Sequence, residues 1–277
     1  MQEPDRGSVA TLSSAGFLPG IAAPNGILSY GGGRQTVAIC ALILEGRLPR
    51  PDRIVMADTG RENPMTWDYL RDVTGPAMAA AGMPIEVSSA DLRTVDLYAA
   101  NGNVLMPVFT SGGKMRPFCS GKWKAEAMDR YLRTRYGINA GVKWIGFSSD
   151  EKRRLGATTK EGWAELARGN WSFLYPLVKL GITSDGCREI IAAHGWPQPH
   201  RSSCWMCPNK KDDEWAYIRD HYPELWAQAC EIDEECREND ERGGVWLHRA
   251  RVPLSVALDR GAAAESDPRC ETGMCFV

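Results

Sequence analysis

Short apolar runs that alternate with helix-like stretches constrain the fold of this chain more than any other feature. Strand-like runs occur near residues 26–30, 53–57, 84–89 and 142–147. Helix-like stretches separate several of these runs. This alternation predicts an α/β fold, a twisted parallel sheet with helices on both faces. After Pro208 the sequence becomes helical and rich in tryptophan, which predicts a C-terminal helical extension.

Three consecutive glycines follow the first strand-like run. The segment Ile-Leu-Ser-Tyr-Gly-Gly-Gly-Arg-Gln-Thr at 27–36 leads into an apolar, helix-like stretch from Thr36 to Glu45. Because glycines have no side chain, the backbone N–H groups of such a turn can close on an anion at the positive end of a helix dipole. The spacing matches neither the Walker A loop nor the dinucleotide fingerprint. The segment predicts a different phosphate-binding loop, with a plain tight connection as the alternative.

The glycine segment resembles the pyrophosphate loop of the PP-loop ATP pyrophosphatases and the phosphoadenosine-phosphosulfate (PAPS) reductases. That family usually has Ser-x-Ser/Gly-Gly-Gly-Lys-Asp-Ser, so Arg34, Gln35 and Thr36 stand where lysine, aspartate and serine are common. The resemblance implies an adenine nucleotide alpha hydrolase-like fold. It also implies a nucleotide site formed by Ser29, Tyr30, Gly31, Gly32, Gly33, Arg34, Gln35 and Thr36.

Two further segments resemble motifs of the same family. The second strand-like run ends in Asp58-Thr59-Gly60-Arg-Glu62, similar to the family's Asp-Thr-Gly-x-Glu, which implies that Asp58, Thr59 and Gly60 lie beside the nucleotide. The run at 142–147 leads into Asp-Glu-Lys-Arg-Arg at 150–154, and the family's corresponding arginine implies a phosphate-facing role for Arg154. An ordinary capped helix and a solvated charged loop are the alternatives for these two segments.

Nine cysteines in a chain of this composition require an explanation. Clustered cysteines in a reducing compartment more often bind metal or react than form disulfides. Cys204-Trp-Met-Cys207 is a Cys-x-x-Cys unit that can present two thiolates to one metal. With Cys119 before a lysine-bearing segment, the pair resembles the iron–sulfur members of the family, which implies a [4Fe–4S] cluster on Cys119, Cys187, Cys204 and Cys207. Zinc, an open fourth iron site and a C-terminal cysteine as fourth ligand are the alternatives.

The last residues contain two more cysteines, Cys270 and Cys275. PAPS reductases place a reactive cysteine on a C-terminal tail, and this resemblance implies a nucleophilic role for Cys275. Cluster ligation and an inert tail are equally compatible with the sequence.

Charge and apolar patterning limit the classes of partner. The formal net charge of −2 gives no global attraction to nucleic acid, although seven basic residues crowd one segment: Lys114, Arg116, Lys122, Lys124, Arg130, Arg133 and Arg135. We therefore expect a DNA or tRNA substrate to be presented by partner proteins. The sequence shows neither a signal peptide nor an apolar run long enough for a membrane, which predicts a cytoplasmic protein.

The resemblance covers residues 25–210 and predicts three parts. These are an irregular segment at 1–24, a nucleotide-binding domain with the cysteine site at 25–210, and a helical extension with a cysteine tail at 211–277. It implies an ATP pyrophosphatase that uses ATP and Mg²⁺ to adenylate a substrate for sulfur transfer, in nucleic-acid phosphorothioation or thiolation, with a sulfur donor such as a cysteine desulfurase. Arg34, Asp58, Arg154 and Cys275 are its implied catalytic residues. An adenylyl-sulfate or PAPS reductase and a non-catalytic nucleotide- and metal-binding subunit are the alternatives.

Overall fold

Five parallel strands form the central sheet in the computed structural model, which describes residues 26–88, 96–151, 170–239 and 244–259. The strands in chain order are β1 (Gly26–Tyr30), β2 (Arg53–Met56), β3 (Ile85–Val87), β4 (Phe109–Thr110), β5 (Gly113–Lys114), β6 (Gly141–Trp144), β7 (Trp171–Leu174) and β8 (Val245–Trp246). The sheet order is β3-β2-β1-β6-β7, and every pairing in it is parallel. A second, antiparallel sheet has the order β5-β4-β8.

Helices follow most of the parallel strands, as the sequence predicts. They are α1 (Arg34–Leu44), α2 (Pro64–Tyr69), α3 (Gly75–Ala80), α4 (Glu126–Tyr136), α5 (Pro176–Lys179), α6 (Ser184–Ala193), α7 (Asp212–His221), α8 (Pro223–Asn239) and α9 (Leu254–Ala257). Short π-helical turns, Leu70–Thr74 and Ser120–Ala125, join α2 to α3 and lead into α4. Pro64 occupies the first turn of α2, where its missing N–H costs no helical hydrogen bond.

Alternate residues of β1 pack on opposite faces of the sheet. Leu28 and Tyr30 belong to a core that includes α1 and α6, whereas Ile27 packs with Met128 and Leu132 of α4. This is the two-residue period of a strand that is covered on both faces. The predicted α/β fold with helices on both faces is therefore confirmed, and α7, α8 and α9 form the predicted C-terminal helical part.

A second hydrophobic core lies beside the sheet. It joins Val104 and Met106 to Met206, Trp215 and Leu247. The stretch from Ala99 to Arg116, which has the glycine content of an active-site loop or lid, instead supplies part of this core and strands β4 and β5. Since the core draws on residues from both sides of position 210, it spans the predicted boundary between the last two parts of the chain. The three-part division itself stays a prediction.

One buried carboxylate holds the end of this second core together. Asp233 of α8 is 1% exposed, and its two oxygens accept hydrogen bonds from the backbone N–H groups of Leu247 and Leu254, at 2.7 and 2.8 Å. Arg237, one helical turn later, pairs with the same carboxylate. The side chain thereby fixes β8 and α9 to α8.

The order of the central sheet creates a crevice at its middle. From β1 the chain first adds strands on one side, and β6 later pairs on the other side of β1. Ligands of open α/β sheets bind outside the carboxyl ends of the strands at such a point. None of the described helices combines the length and apolar character needed to span a membrane.

Candidate functional site

A cavity of about 750 Å³ opens at the carboxyl ends of β1 and β6. Its size is within the range of small-molecule and cofactor sites, about 300–1,000 Å³. Seven of the eight residues predicted for the phosphate loop line it: Ser29, Tyr30, Gly31, Gly33, Arg34, Gln35 and Thr36. The glycine turn therefore faces open space large enough for a nucleotide rather than protein.

Close packing explains two of the glycines around this cavity. Gly32 has φ +67°, a conformation that L side chains rarely adopt, and a Cβ there would lie 2.5 Å from Cγ2 of Thr66. Gly146, just after β6, approaches the first turn of α1 so closely that a Cβ would lie 2.8 Å from Cγ2 of Thr36. Gly31 donates to Thr36 Oγ1 at 3.4 Å, and this hydroxyl donates to the Gly33 carbonyl at 3.1 Å. The hydroxyl group of Thr36 thus holds the glycine turn in place.

Arg34 and Gln35 point to two different neighbours. Arg34 donates from Nη1 to Ser184 Oγ at 3.0 Å, and its buried Nε has no hydrogen-bond partner among the described residues. Burial, and then the nearby charge of Arg188, lower the pKa of Arg34. Gln35 donates from Nε2 to Glu151 Oε2 at 3.3 Å. A carboxylate therefore lies next to position 35, although the residue at that position is an amide.

The charge of the cavity wall is strongly positive. The basic residues in its described lining are Arg34, Lys124, Lys143, Arg188, Arg201, Lys210, Lys211 and Arg249. The acidic ones are Glu62 and Glu151. Walls of one charge sign around a low-dielectric cleft concentrate ligands of the opposite sign. The cavity is therefore suited to a polyanion.

Lys210 and Ser202 are buried polar residues of this wall. Lys210 is 4% exposed, and its Nζ donates to Asn63 Oδ1 at 3.2 Å and to Ser203 Oγ at 3.1 Å. Burial lowers its pKa. Ser202 is 5% exposed, and its Oγ has no hydrogen-bond partner in the described part of the chain. A Cβ at Gly33 would lie 3.3 Å from Ser202 Cβ, so this serine lies directly against the glycine turn.

Sequence reasoning did not identify Lys210, Ser202, Arg201 or Arg249. The Lys-Lys pair at 210–211 precedes an acidic helix start and has the pattern of an ordinary capped helix, so its burial depends on tertiary packing alone. Residues 114–135, the basic segment of the sequence, contribute only Lys124 of their basic residues to the cavity lining.

The Asp58-Thr59-Gly60 motif lies at the end of β2, where the Asp58 side chain accepts a hydrogen bond within the turn. Asp58 Oδ1 accepts a hydrogen bond from the Gly60 backbone at 2.7 Å, and the Asp58 backbone donates to Ser88 Oγ at 2.8 Å. Met56 and Ala57 line the cavity, whereas Asp58, Thr59 and Gly60 are not part of its lining. Tyr30 likewise turns its hydroxyl away, to Thr74 Oγ1 at 2.7 Å. Nucleotide contacts by these side chains stay predictions.

Glu62 connects the cavity to the cysteine segment. Its backbone pairs with Cys204, and its side chain, 1% exposed, accepts from Thr59 Oγ1 at 3.2 Å and pairs with Lys124 at 2.8 Å through Oε1. The other oxygen, Oε2, is buried without a hydrogen-bond partner in the residues described. An acceptor of this kind fits a cation or a hydrogen-bond donor of a ligand.

The predicted metal ligands are not all brought together. Cys119 and Cys204 pack against the second hydrophobic core, and Cys207 follows in the same tight turn as Cys204. Cys187 is instead fully buried in the first core, between α6 and α1, with Arg34 among its charged neighbours. The amphipathic face of α6 packs this side chain into the sheet core, and its role as a fourth ligand stays a prediction. The described residues include no group of three or more His, Cys, Asp or Glu side chains positioned to hold a metal.

Three of the predicted residues lie outside the described ranges. Arg154 falls in 152–169, and Cys270 and Cys275 fall in 260–277. The proposed phosphate contact of Arg154 and the reactive tail therefore stay predictions.

No family model matches the sequence. Over 152 residues the chain is 26% identical to the uncharacterized nin region protein ORF290 of Escherichia phage lambda, which covers 47% of this chain and 50% of the relative. The chain thus spans about half the length of the curated relative it matches. Its structure is similar to that of a phosphoadenylyl-sulfate (PAPS) reductase from Candida auris in a phosphate complex, with a TM-score of 0.41 and 14% identity, over 64% of this chain and 75% of the reductase chain.

Proposed function

We propose that this protein is an ATP pyrophosphatase of the PP-loop type that adenylates a substrate for sulfur transfer in nucleic-acid modification. The observation that carries the proposal is the glycine turn, whose Gly31 and Gly33 line a cavity of about 750 Å³ together with eight basic residues. Preorganised N–H groups and cations stabilise the charge that develops on a transferring phosphoryl group.

The chain's own residues would divide the work along the triphosphate. Amides of the glycine turn and the first turn of α1 bind phosphate oxygens, and Arg34 adds a charged donor. Lys210 is a further cation of the cavity lining, and its charge favours the pyrophosphate that leaves. Mg²⁺ that accompanies ATP neutralises phosphate charge, and Glu62, with its buried unpartnered oxygen, is the carboxylate that would hold it.

The proposed reaction has three balanced steps. A substrate oxygen attacks the α-phosphorus of ATP, and the bond to the bridging oxygen breaks, so pyrophosphate leaves with its electron pair. A thiol reductant releases hydrosulfide from the persulfide of a donor such as a cysteine desulfurase, and the thiol is oxidised to a disulfide. The hydrosulfide then displaces AMP, which carries away the former substrate oxygen. No step is assigned to a metal centre, and cluster ligation by Cys119, Cys187, Cys204 and Cys207 stays a prediction.

The test follows pyrophosphate release from ATP and Mg²⁺ in the presence of candidate nucleic-acid acceptors and a sulfide source. Arg34→Ala should lower ATP affinity by about tenfold, as expected for the loss of a charged hydrogen bond. Arg47→Ala is the matched control, since Arg47 follows the other end of α1 and pairs with exposed Glu45. Release of sulfite from a sulfonucleotide, without pyrophosphate from ATP, would instead identify a reductase. ATP binding without any turnover would identify a non-catalytic subunit.

A further inference from the structure

The cavity lining extends to exposed residues beside the first turn of α7. His200, Arg201 and Lys211 are exposed and line the cavity. Arg249, whose side chain is 31% exposed, reaches the same lining from the segment after β8. Two distant parts of the chain therefore bring four basic or imidazole side chains to one rim.

Carboxylates at the start of α7 hold the two arginines in place. Arg201 Nη1 pairs with Glu214 Oε2 at 2.8 Å and donates to the Asn209 carbonyl at 2.9 Å. Arg249 Nη2 pairs with Asp212 Oδ1 at 2.9 Å. A guanidinium group has five N–H donors, so an arginine that a carboxylate holds in position can still bind an anion.

Aromatic rings lie next to these cations on the same helix face. The Tyr217 ring lies 5.7 Å from His200 and stacks on His221, with ring centroids 4.0 Å apart and an interplanar angle of 11°. Tyr217 and His221 are one helical turn apart, as is Glu214 on the other side of Tyr217, so all three lie on one face of α7. Cations interleaved with accessible rings characterise surfaces that bind single-stranded nucleic acid, because every base has a face that can stack.

The cavity behind this rim holds a buried polar group without a partner. Ser202, next to Arg201, is 5% exposed with an unpartnered Oγ, and buried Lys210 lines the same cavity. A buried hydroxyl of this kind is a site for a ligand atom, since buried polar groups are otherwise hydrogen-bonded. The rim thus leads to Ser202, where one group of a bound strand would lie beside the glycine turn.

We infer that the face formed by His200, Arg201, Lys211, Tyr217, His221 and Arg249 binds a single strand of nucleic acid and delivers one of its nucleotides to Ser202. Phosphodiester groups bind the cations, and bases stack on the rings. The inference rests on the proposed function, in which the delivered nucleotide is the acceptor that ATP activates. It places the acceptor on residues 200–221 and 249 rather than on the basic segment 114–135.

The test measures fluorescence anisotropy of a labelled oligothymidine of about ten nucleotides, a length that matches common single-strand sites. Arg201→Ala/Arg249→Ala should weaken binding by about tenfold and reduce the slope of log affinity against log salt by about one. Arg219→Ala is the matched control, because Arg219 is on the same helix, pairs with Asp220 and does not line the cavity. Tyr217→Leu should weaken binding by about fivefold with an unchanged salt slope, since it removes stacking and no charge.

Each outcome decides between the two proposals. Equal affinity of the double variant and the Arg219→Ala control, with both folded by circular dichroism, would overturn the inference. Displacement of the oligonucleotide by a saturating non-hydrolysable ATP analogue would also overturn it, because the phosphates would then share one site. If the wild type binds no ATP analogue but the arginine dependence persists, the ATP reaction fails and the strand site stands.

Discussion

Gln35 Nε2 donates a hydrogen bond to Glu151 Oε2 across 3.3 Å, which ties the first turn of α1 to the loop after β6. Ser148 donates to the same oxygen from both its backbone and its hydroxyl, each at 2.9 Å. The carboxylate therefore organises the loop that faces the glycine turn. An amide at position 35 suits this arrangement, because it can donate where a carboxylate could not.

Gln35→Glu should destabilise the protein in a pH-dependent way. Two adjacent carboxylates repel, so the new carboxyl group has a higher pKa folded than unfolded, and a one-unit rise costs about 1.4 kcal/mol. That cost is complete at neutral pH and disappears as the pH falls below the unfolded value of about 4.3. Urea unfolding at several pH values measures it. Gln35→Ala should show no such pH dependence, and parallel behaviour of the two variants would contradict the contact.

Lys210→Met should remove an anion-binding group from the cavity. Inorganic pyrophosphate should stabilise the wild type by about 2.7 kcal/mol at roughly 100 times its Kd, because a ligand of the native state raises stability by mass action. The stabilisation should be much smaller in the variant, measured as the shift in Tm. Lys122→Met is the control, since Lys122 pairs with Glu126 on the surface and does not line the cavity. An equal shift in both variants would show that Lys210 does not face the anion.

Gly146→Ala should weaken nucleotide binding without unfolding the protein. The new methyl group would lie 2.8 Å from Thr36 Cγ2 and 3.3 Å from the Thr36 backbone nitrogen, so the first turn of α1 has to move. We expect about a tenfold loss of affinity for ATP, equivalent to about 1.4 kcal/mol, measured by calorimetry. In Gly121→Ala, where an added methyl group has nothing within 4 Å, affinity should be unchanged. Equal affinities in the two variants would argue against the tight approach of β6 and α1.

Cys187→Ala should leave any bound metal in place. The Cys187 thiol is fully buried in the first core, and burial raises its pKa to about 12, which opposes the thiolate form that a metal requires. Iron, sulfide and zinc analysis after anaerobic purification measures the metal content. Cys40→Ala is the matched control, because Cys40 is equally buried in the same core. Each variant should lose about 1 kcal/mol of unfolding free energy. Metal loss in Cys187→Ala alone would instead support the four-cysteine prediction.

Asp233→Ala should destabilise the second hydrophobic core. Its removal leaves the N–H groups of Leu247 and Leu254 and the charge of Arg237 without their acceptor, at a cost of about 3 kcal/mol. Asp220→Ala, an exposed partner of Arg219, should change the stability by less than about 1 kcal/mol. Thermal unfolding followed by tryptophan fluorescence reports the difference. Similar Tm values for both variants would contradict the role of Asp233.

The sequence predicted the parts of the site that depend on local patterns. The strand, glycine turn and helix at 26–44 follow from apolar periodicity and from the backbone freedom of glycine, and the structure has the strand at Gly26–Tyr30 as expected. The burial of Cys187 in the first core is not evident from the sequence, because a cysteine at a helix start looks the same whether it faces a metal or a core. The burial of Val104 and Met106 in the second core is not evident from the sequence, because a short apolar run among glycines has no distinctive period. Lys210 could not be found at all, since its burial depends on residues far along the chain.

The two walls of the cavity emerge from the ribosome at different times. The glycine turn and β1 are made first, whereas Lys210, Lys211 and Arg249 come from the last third of the chain and are positioned by the second core. Because domains form progressively as the chain is synthesised, the glycine turn is present in the nascent protein before these three basic residues. The cavity thus gains its full positive charge late in translation, once Asp233 has fixed β8 and α9 to α8.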